Sequence, residues 1–539
     1  MTEQPFDLLN YPYSSRRTTT VANNGMVATS QPLASQAGLD ILKQGGNAVD
    51  AAIATAAALT VVEPTSNGIG GDAFALVWMQ DELHGLNASG PAPESISIEA
   101  VKAEGHEKMP TYGWTPVTVP GVPAAWASLS EKFGALPLTE VLKPAIAYAE
   151  EGYPVSPVVA YYWDVSYKKY KKTFKGEEFN SWFETFASKG RAPHIGEVWR
   201  SKNHAETLRS IAETKGKSFY DGELADKIVA FSKAYDGFLT KKDLTSFQPE
   251  WVDPISVKYQ GYEVWELPPN GQGLITLNAL NILSHLKTES SISAESHHKE
   301  IEAMKLAFSD GQKYITDPNY MTKKPTDFLT KAYGKSRSEL IGNEAGTPEP
   351  GQLSSSGTVY LTTADSEGNM VSYIQSNYRG FGSGLVVPET GIALQNRGEY
   401  FSLDPKDANA LKGGKRTFQT IIPGFLTKNQ EAVGSFGVMG GTMQPQGHLQ
   451  VIKNMIDYQL NPQAALDAPR WQWLEDKTVS VEKDFPKHVA EQLSRKGHDI
   501  LVELKSGSFG RGQIIWRDSQ TGTYFGGTDS RADGTTSAY

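Results

Sequence analysis

The chain contains no cysteine among its 539 residues. This absence excludes disulfide bonds, thiolate metal sites, iron–sulfur clusters and cysteine nucleophiles. Long hydrophobic runs are also missing, since the longest mostly apolar stretch, Ala51–Val62, has 12 residues and a membrane-spanning helix needs about 20. The first residues include acids and no apolar segment, so the sequence predicts no signal peptide and a cytoplasmic location.

The chain has fewer basic than acidic residues. The 51 Lys and Arg residues against 61 Asp and Glu residues give a formal net charge of −10, which argues against a general nucleic-acid or acidic-membrane partner. The lysine- and aromatic-rich segment 167–178 could be a nucleic-acid strip, but in an acidic protein its pattern favours the solvated face of a helix. The length and the 39% hydrophobic content predict a large core, in two domains or one two-lobed unit.

The periodicity of apolar residues divides the chain into two parts that differ in predicted secondary structure. The first part predicts helices over 36–43, 48–61, 138–151 and 296–308, with a strand over 74–79. The second part predicts strand pairs 358–363 with 370–376 and 419–426 with 432–438, then a helix over 445–460. Between them, segment 343–357 holds two prolines, three glycines and a serine triplet, which is typical of a flexible linker. This order predicts a layered α+β or αββα fold.

Several kinds of site are excluded by spacing. Gly216-Lys217-Ser218 and Gly334-Lys335-Ser336 lack the upstream glycine of a phosphate loop. Gly68–Gly71 follows a helix instead of a strand, unlike a dinucleotide fingerprint. The ten histidines show no metal-ligand spacing, and no Gly-x-Ser-x-Gly elbow occurs. The sequence therefore predicts no metal and no cofactor.

One arrangement is compatible with catalysis. The linker ends at Gly357, and Thr358 follows at the head of a predicted strand. Cleavage between these residues would free an α-amine with a pKa near about 8, which could serve as general base for the threonine hydroxyl. Plain β-propensity explains a threonine at this position equally well.

A pair of glycines supports the catalytic interpretation. Gly440 and Gly441 lie between a predicted strand and a predicted helix, where bare N–H groups can form an oxyanion hole. A tight turn is the alternative explanation of the same pair.

These motifs together resemble the γ-glutamyltransferase (glutathione hydrolase) family of N-terminal-nucleophile hydrolases. The resemblance spans nearly the whole chain and rests on motifs in a fixed order. They are Gln44-Gly-Gly-Asn-Ala-Val-Asp-Ala-Ala, Val62-Glu-Pro, Gly68-Ile-Gly-Gly-Asp, Val119-Pro-Gly, Leu142-Lys-Pro-Ala-Ile, Glu151-Gly-Tyr, Thr358, Asp365-Ser-Glu-Gly-Asn, Phe381-Gly-Ser-Gly, Lys415-Arg416, Gly440-Gly441, Asp467-Ala-Pro-Arg and Gly526-Gly-Thr-Asp-Ser-Arg-Ala-Asp-Gly.

The resemblance implies a four-layer αββα sandwich made as one precursor. Self-cleavage would give a large chain, 1–357, and a small chain, 358–539, which form one intertwined heterodimer that could dimerise further. Thr358 corresponds to the nucleophile, and Gly440 and Gly441 to the oxyanion-hole glycines. Ser376 corresponds to the supporting threonine, although a one-residue insertion would shift that role to Gln375.

The residues that would grip a γ-glutamyl group differ from the family pattern. Ile98 stands at the carboxylate-binding arginine, Tyr378 at an asparagine, Arg397 at a glutamine and Tyr400 at the aspartate that meets the α-amine. Gln419 and Thr420 stand at a serine pair, and the stretch 401–415 is short where the family carries a lid. Arg397 could meet a carboxylate or form an ordinary ion pair. Tyr378 and Tyr400 could be stacking walls or core aromatics.

Three functional hypotheses therefore stay open. The first is a self-processing hydrolase or transferase of γ-glutamyl-type amides such as glutathione. The second is an acylase on dicarboxylic acyl-amides, such as glutaryl-amides of β-lactam nuclei. The third, of another class, is an unprocessed, non-catalytic protein that retains the fold.

Overall fold

The computed structural model of the protein describes residues 17–347 and 357–539. The predicted linker, 343–357, lies partly outside these ranges, at residues 348–356. The helices of the described residues are α1 Pro32–Lys43, α2 Ala48–Val62, α3 Ile98–Ala103, α4 Val122–Phe133, α5 Leu138–Val141, α6 Lys143–Glu151, α7 Pro157–Thr173, α8 Asn180–Phe186, α9 Lys202–Thr214, α10 Lys217–Asp221, α11 Glu223–Ala234, α12 Lys241–Ser246, α13 Gly273–Leu283, α14 Ala294–Tyr314, α15 Lys331–Ser338, α16 Met443–Ile456, α17 Pro462–Asp467 and α18 Lys487–Arg495.

The strands predicted for the second part of the chain occur in the predicted order, and the first part of the chain contributes further strands. They are β1 Thr20–Ala22, β2 Gly25–Thr29, β3 Asp72–Met79, β4 Glu82–Ala88, β5 Tyr153–Pro154, β6 Val198–Trp199, β7 Glu250–Val252, β8 Ile255–Tyr259, β9 Tyr262–Glu266, β10 Val359–Asp365, β11 Met370–Ser376, β12 Gly424–Lys428, β13 Glu431–Met439, β14 Trp471–Glu475, β15 Thr478–Glu482, β16 Asp499–Glu503, β17 Arg511–Arg517, β18 Tyr524–Thr528 and β19 Thr535–Ala538.

Two seven-stranded sheets organise the molecule. Sheet I has the order β19-β2-β10-β11-β3-β4-β7, and sheet II has the order β1-β18-β17-β13-β12-β9-β8. Each sheet combines strands from before and after residue 357. The two parts of the chain therefore share both sheets instead of forming two separate domains.

Helices cover the outer face of each sheet, and apolar side chains fill the space between the sheets. α1, α2 and α4 pack on sheet I, with α6 against α2, whereas α13 and α16 pack on sheet II, with α14 against α13. The layer between the sheets contains Phe74, Tyr360, Ile374, Phe425 and Ile515. This is the predicted αββα sandwich.

The alanine-rich helix α2 is a core helix. All 15 of its residues are buried, and small side chains let α1 approach closely. A Cβ on Gly38 of α1 would lie 2.2 Å from Thr55 Oγ1, so glycine is required at this crossing. The alanine run thus reflects packing.

Two predictions of helix and strand extent needed correction, whereas the solvated helical face predicted for 167–178 is present. The helix expected over 138–151 is divided at Leu142, because Pro144 in the first turn of α6 has no N–H to continue the preceding helix. The strand expected over 419–426 begins only at Gly424, directly after Pro423, which cannot donate to a ladder. The basic segment 167–178 forms the end of α7 and a turn, with exposed lysines and with Tyr170 and Phe174 buried beneath them.

Within the described ranges, no helix combines the length and the apolar character that crossing a membrane would need.

The turn of the β10–β11 hairpin caps helix α2. Asp365, which is buried, accepts hydrogen bonds from the Ala48 N–H at the start of α2 (2.9 Å) and from the Asn369 side chain (2.9 Å). Asp365→Ala leaves a buried N–H without an acceptor, so we expect the free energy of unfolding to fall by about 1–3 kcal/mol. Urea denaturation measures this loss.

The matched control is Asp518→Ala. Asp518 also accepts two backbone N–H groups, but in an exposed turn where water can replace it. Its loss should change stability by less than about 0.5 kcal/mol. Equal effects of the two substitutions would contradict the role of Asp365 as a cap.

Candidate active site

Thr358 lies at the junction of the two parts of the chain. It immediately precedes β10 and is fully buried. β10 and β11 are antiparallel with Val359 opposite Gln375, so Thr358 comes opposite Ser376. Their hydroxyl oxygens, Oγ1 and Oγ, are 3.0 Å apart.

Ser376 connects the Thr358 hydroxyl to the peptide bond that precedes it. The Ser376 hydroxyl donates to the Gly357 carbonyl oxygen at 2.8 Å and accepts the Tyr378 N–H at 2.8 Å. A hydroxyl has one hydrogen, so the Thr358 hydroxyl is the donor to Ser376. The Thr358 hydroxyl, the Ser376 hydroxyl and the Gly357 carbonyl therefore form a continuous chain of hydrogen bonds.

Gln375, the alternative to Ser376, points to the other face of sheet I. Its side-chain amide donates to the Ala56 carbonyl at 2.8 Å and to Asn67 at 2.7 Å, in the helical layer. The structure therefore brings Ser376, and not Gln375, to Thr358.

The glycine pair lies on the facing sheet. β10 and β13 lie across from each other, with the Thr362 hydroxyl touching that of Ser435 and the Tyr360 ring filling the space beside Gly437. Every second residue of a strand faces the same side of the sheet. Thr358 lies two residues before Tyr360, on the same face, and therefore comes level with the end of β13. Gly440 and Gly441 follow there, as predicted, between β13 and α16.

The backbone at this pair requires glycine. Gly440 has φ +143° and Gly441 has φ +61°, in the region that side chains disfavour. A Cβ on Gly440 would also lie 3.1 Å from the Gly510 Cα. The connection can thus present backbone N–H groups towards the space between the sheets.

Arg397 occupies a buried polar pocket next to this region. Its Nη1 donates to Thr420 Oγ1 at 2.8 Å, its Nε lies 3.9 Å from Asp72 Oδ2, and its guanidinium stacks 4.2 Å from the centre of the Tyr378 ring. Nε and Nη2 have no hydrogen-bond partner among the described residues. Burial lowers the pKa of Arg397 to about 10, although the charge of Asp72 opposes the shift.

Asp72 is a site residue to which the sequence assigned no role. It is fully buried and accepts hydrogen bonds from Gln419 (2.7 Å) and Gln395 (2.9 Å) in addition to its ion pair with Arg397. Burial raises its pKa to about 6 against the opposing effect of Arg397. Asp72 therefore places an acidic group beside Arg397, in addition to the residues that the sequence singled out.

The two tyrosines form one wall of the Arg397 pocket. Tyr378, at φ +72°, meets Tyr400 edge to face at 5.9 Å, and Tyr400 stacks on Phe418 at 4.8 Å. Burial raises the pKa of the Tyr400 hydroxyl, so it is neutral at physiological pH. Arg379 over the Tyr378 ring pairs with Glu399 at 2.6 Å.

Ile98 lies apart from this pocket. It begins the short helix α3 and packs against an apolar cluster that includes Ile96 and Phe401. Packing accounts for its side chain, and no polar contact connects it to Arg397.

The glycines of 68–71 make room for a further buried amide. A Cβ on Gly68 or on Gly71 would lie 2.8 Å and 2.7 Å, respectively, from the side chain of Asn377. Asn377 is fully buried beside Ser376, and neither its Oδ1 nor its Nδ2 has a hydrogen-bond partner in the described ranges. Its position next to Ser376 was a signal that sequence reasoning did not use.

One group of residues could ligate a metal ion, away from Thr358. His298, Glu302 and His498 place their donor atoms within 4.8 Å of one another. Some of their polar atoms already have partners: His298 Nδ1 lies 2.8 Å from His498 Nε2, and Lys305 donates to Glu302 at 2.8 Å. Sequence spacing missed this cluster because the two histidines are 200 residues apart.

An open groove also lies elsewhere. It measures about 1040 Å³ and contains none of the predicted site residues. Its lining includes Val21, Met455, Leu460, Trp516 and Phe525.

The αββα sandwich, with a buried hydroxyl pair at a strand start and a facing glycine pair, defines the class of N-terminal-nucleophile hydrolases. Comparisons with known proteins agree. Residues 34–539 match the family described as Gamma-glutamyltranspeptidase. The chain is 36% identical to the glutathione hydrolase-like YwrD proenzyme of Bacillus subtilis, over 95% of this chain and 98% of that protein.

Other relatives cover the chain just as fully. The glutathione hydrolase proenzyme of Escherichia coli is 32% identical over 90% of this chain and 87% of its own length. The crystal structure of cephalosporin acylase from Bacillus halodurans superposes with a TM-score of 0.97, at 61% identity and 99% coverage of both chains. The chain belongs to the γ-glutamyltranspeptidase family and is an enzyme of that family.

The ion pair of Asp72 and Arg397 generates a stability prediction. Asp72→Ala leaves the Arg397 charge buried without a carboxylate, which costs about 3–5 kcal/mol. The double variant Asp72→Ala/Arg397→Met removes both charges, so most of that loss should be recovered. Urea denaturation of the wild type, Asp72→Ala, Arg397→Met and the double variant gives the coupling free energy.

The control pair is Lys242 and Glu94, which lie 2.7 Å apart but are exposed. Removing Glu94 should change stability by less than about 1 kcal/mol. If the double variant is as unstable as Asp72→Ala alone, charge is not what Asp72 contributes.

Proposed function

We propose that this protein is a self-processing threonine amidohydrolase and acyltransferase. The observation that carries the proposal is the contact chain from the Thr358 hydroxyl through Ser376 to the Gly357 carbonyl. Attack of Thr358 Oγ1 on that carbonyl carbon forms a C–O ester bond and breaks the C–N bond, and the proton passes to the released nitrogen. Water then hydrolyses the ester, leaving Gly357 with a carboxylate and Thr358 with a free α-amine.

The same hydroxyl then acts on substrate. The α-amine of Thr358, with a pKa near about 8, accepts the hydroxyl proton as Oγ1 attacks the substrate amide carbonyl. The N–H groups of the Gly440–Gly441 connection stabilise the oxyanion. The amine leaves with the proton, and water or a second amine releases the acyl group from the threonyl ester. Residues 1–357 and 358–539 remain together as a heterodimer, because both contribute strands to both sheets.

The acyl group that fits best ends in a carboxylate. Two nitrogens of Arg397, Nε and Nη2, have no hydrogen-bond partner within residues 17–347 and 357–539, and burial lowers the pKa of the group, so a second anion would stabilise its charge. The proposed substrates are therefore γ-glutamyl-type amides, and relatives named glutathione hydrolase support this class.

A second candidate is an acylase on glutaryl-type amides, which carry the same carboxylate without an α-amine. Tyr400, neutral and stacked on Phe418, stands where the family has the aspartate that meets the amine. Asp72 keeps its two oxygens occupied by Gln395, Gln419 and Arg397. Burying a neutral polar group without a hydrogen-bond partner costs about 2–7 kcal/mol, and burying an ammonium group without a partner costs more. The relative named cephalosporin acylase supports this candidate.

Processing is tested on the full chain. Purified protein should yield fragments 1–357 and 358–539, with Thr358 as the N-terminus of the smaller one, by intact mass and N-terminal sequencing. Thr358→Ala should stay intact. Ser376→Ala should be cut at least about tenfold more slowly, because the attacking hydroxyl loses its acceptor and the carbonyl its donor, at more than about 1.4 kcal/mol.

Ser372→Ala is the matched control for Ser376→Ala. Ser372 lies on the same strand and its hydroxyl is also paired, with Tyr360 at 2.8 Å, but it does not touch Gly357. It should be processed like the wild type. A wild-type chain that stays intact and shows no amidase activity would favour the non-catalytic hypothesis.

Substrate class is tested with three anilides: γ-glutamyl, glutaryl and pentanoyl. We expect glutaryl and γ-glutamyl turnover to exceed pentanoyl turnover, and Arg397→Met to lower kcat/KM for the two carboxylate substrates about 100-fold, or ~2.7 kcal/mol. Pentanoyl turnover should change by less than about threefold, since it loses no charge contact. Arg379→Met, at the neighbouring arginine, should preserve the ranking.

The ratio of the first two anilides separates the candidate functions. A clear preference for the γ-glutamyl substrate would defeat the acylase candidate. An equal loss of all three activities in Arg397→Met would show that Arg397 supports the fold instead of recognising a carboxylate.

A further inference from the structure

The side chain of Gln272 joins two loops that belong to different parts of the proposed site. Gln272 precedes helix α13 and is fully buried. Its Nε2 donates to the Thr420 carbonyl at 2.6 Å and to the Gly441 carbonyl at 2.8 Å. A side-chain amide nitrogen has two hydrogens, so both are used, each on a backbone carbonyl.

The two carbonyls belong to residues with different roles in the proposed mechanism. Gly441 is one of the proposed oxyanion glycines, and its carbonyl also accepts the Gln444 N–H, at the longer distance of 3.2 Å. Thr420 holds Arg397 through its hydroxyl at 2.8 Å. One amide group thus fixes the peptide that follows Gly441 and the backbone of the residue that orients Arg397.

Gln272 is itself held rigidly. Its backbone N–H donates to the Gln419 carbonyl at 2.9 Å, and the Gln419 N–H donates to the Asn270 carbonyl at 2.8 Å. This ladder places the turn 270–272 against the strand-like segment that carries Thr420. The amide therefore acts from a fixed point, and not as a mobile surface side chain.

We propose that Gln272 is a positioning residue that fixes the Gly440–Gly441 connection and the Arg397 pocket relative to each other. Gly441, at φ +61°, has little side-chain packing to hold its orientation, so the hydrogen bond to its carbonyl determines how the neighbouring N–H groups point. An oxyanion hole depends on donors that are oriented before the reaction. This inference rests on the proposed function, because Gly441 and Arg397 have their roles only there.

Two variants test it. Gln272→Met keeps the approximate length and removes both donors, and Gln272→Glu keeps the size but carries at most one hydrogen, so it loses at least one of the two donated bonds. In each, kcat should fall about 10- to 100-fold, less than the roughly 10²–10³-fold loss of a direct oxyanion donor. The fall should be seen with both glutaryl and pentanoyl anilides, because every acyl group forms an oxyanion.

Asn281→Leu is the matched control. Asn281 lies on the same helix, is buried, and donates to two backbone carbonyls, those of Phe328 (3.0 Å) and Thr330 (2.9 Å), away from Thr358. It should lose thermal stability to a similar degree and keep kcat within about twofold. Melting temperatures of all variants show whether each is folded at the assay temperature.

The outcomes separate this inference from the proposed function. If the wild type is neither processed nor active, the proposed function fails before Gln272 is tested. If the wild type is active and folded Gln272→Met has wild-type kcat, the positioning role is overturned. A loss confined to the glutaryl substrate would also overturn it, since the effect would then come from Thr420 and Arg397 alone.

Discussion

The hydrogen bond from Thr358 to Ser376 depends on the register between β10 and β11. A slip of one residue in an antiparallel pair moves every side chain to the other face of the sheet. Here that slip would bring Gln375 to Thr358 and turn Ser376 towards the helices. The register is held from both faces. Gln375 is bonded to the α2 backbone on one side, and Tyr360 and Ser372 are bonded to each other on the other side.

The polar interior around Arg397 is stabilised mainly by neutral amides. Gln395 and Gln419 donate to Asp72, and Gln272 donates to two carbonyls. Such groups satisfy buried acceptors without adding charge, which would be expensive to desolvate. The pKa of Asp72 is raised to about 6 and that of Arg397 is lowered to about 10. Burial thus outweighs the mutual attraction of the pair, in line with the charged substrate group proposed for this pocket.

Much of this arrangement is visible in the sequence. A threonine after a small-residue linker, and two glycines between a strand and a helix, are local patterns, and the structure has both at the facing ends of β10 and β13. Asp72 and Arg397 are 325 positions apart, and Gln272 and Gly441 are 169 apart. No periodicity predicts such pairs, because they exist only once the two parts of the chain share the same sheets. The same reason explains why the His298–His498 contact was missed.

The groups proposed for chemistry and for recognition are held by different means. Thr358, Ser376 and Gly440 lie at ends of strands, where the backbone ladder fixes their positions. Tyr378, Arg397 and Tyr400 lie between β11 and β12, where the described backbone makes few ladder contacts and side chains hold one another through ring and ion contacts. Substitutions there can change the shape and charge of the acyl pocket without moving the nucleophile. This division explains how a chain could keep the proposed nucleophile and glycine pair and yet differ at the positions proposed to meet the α-amine.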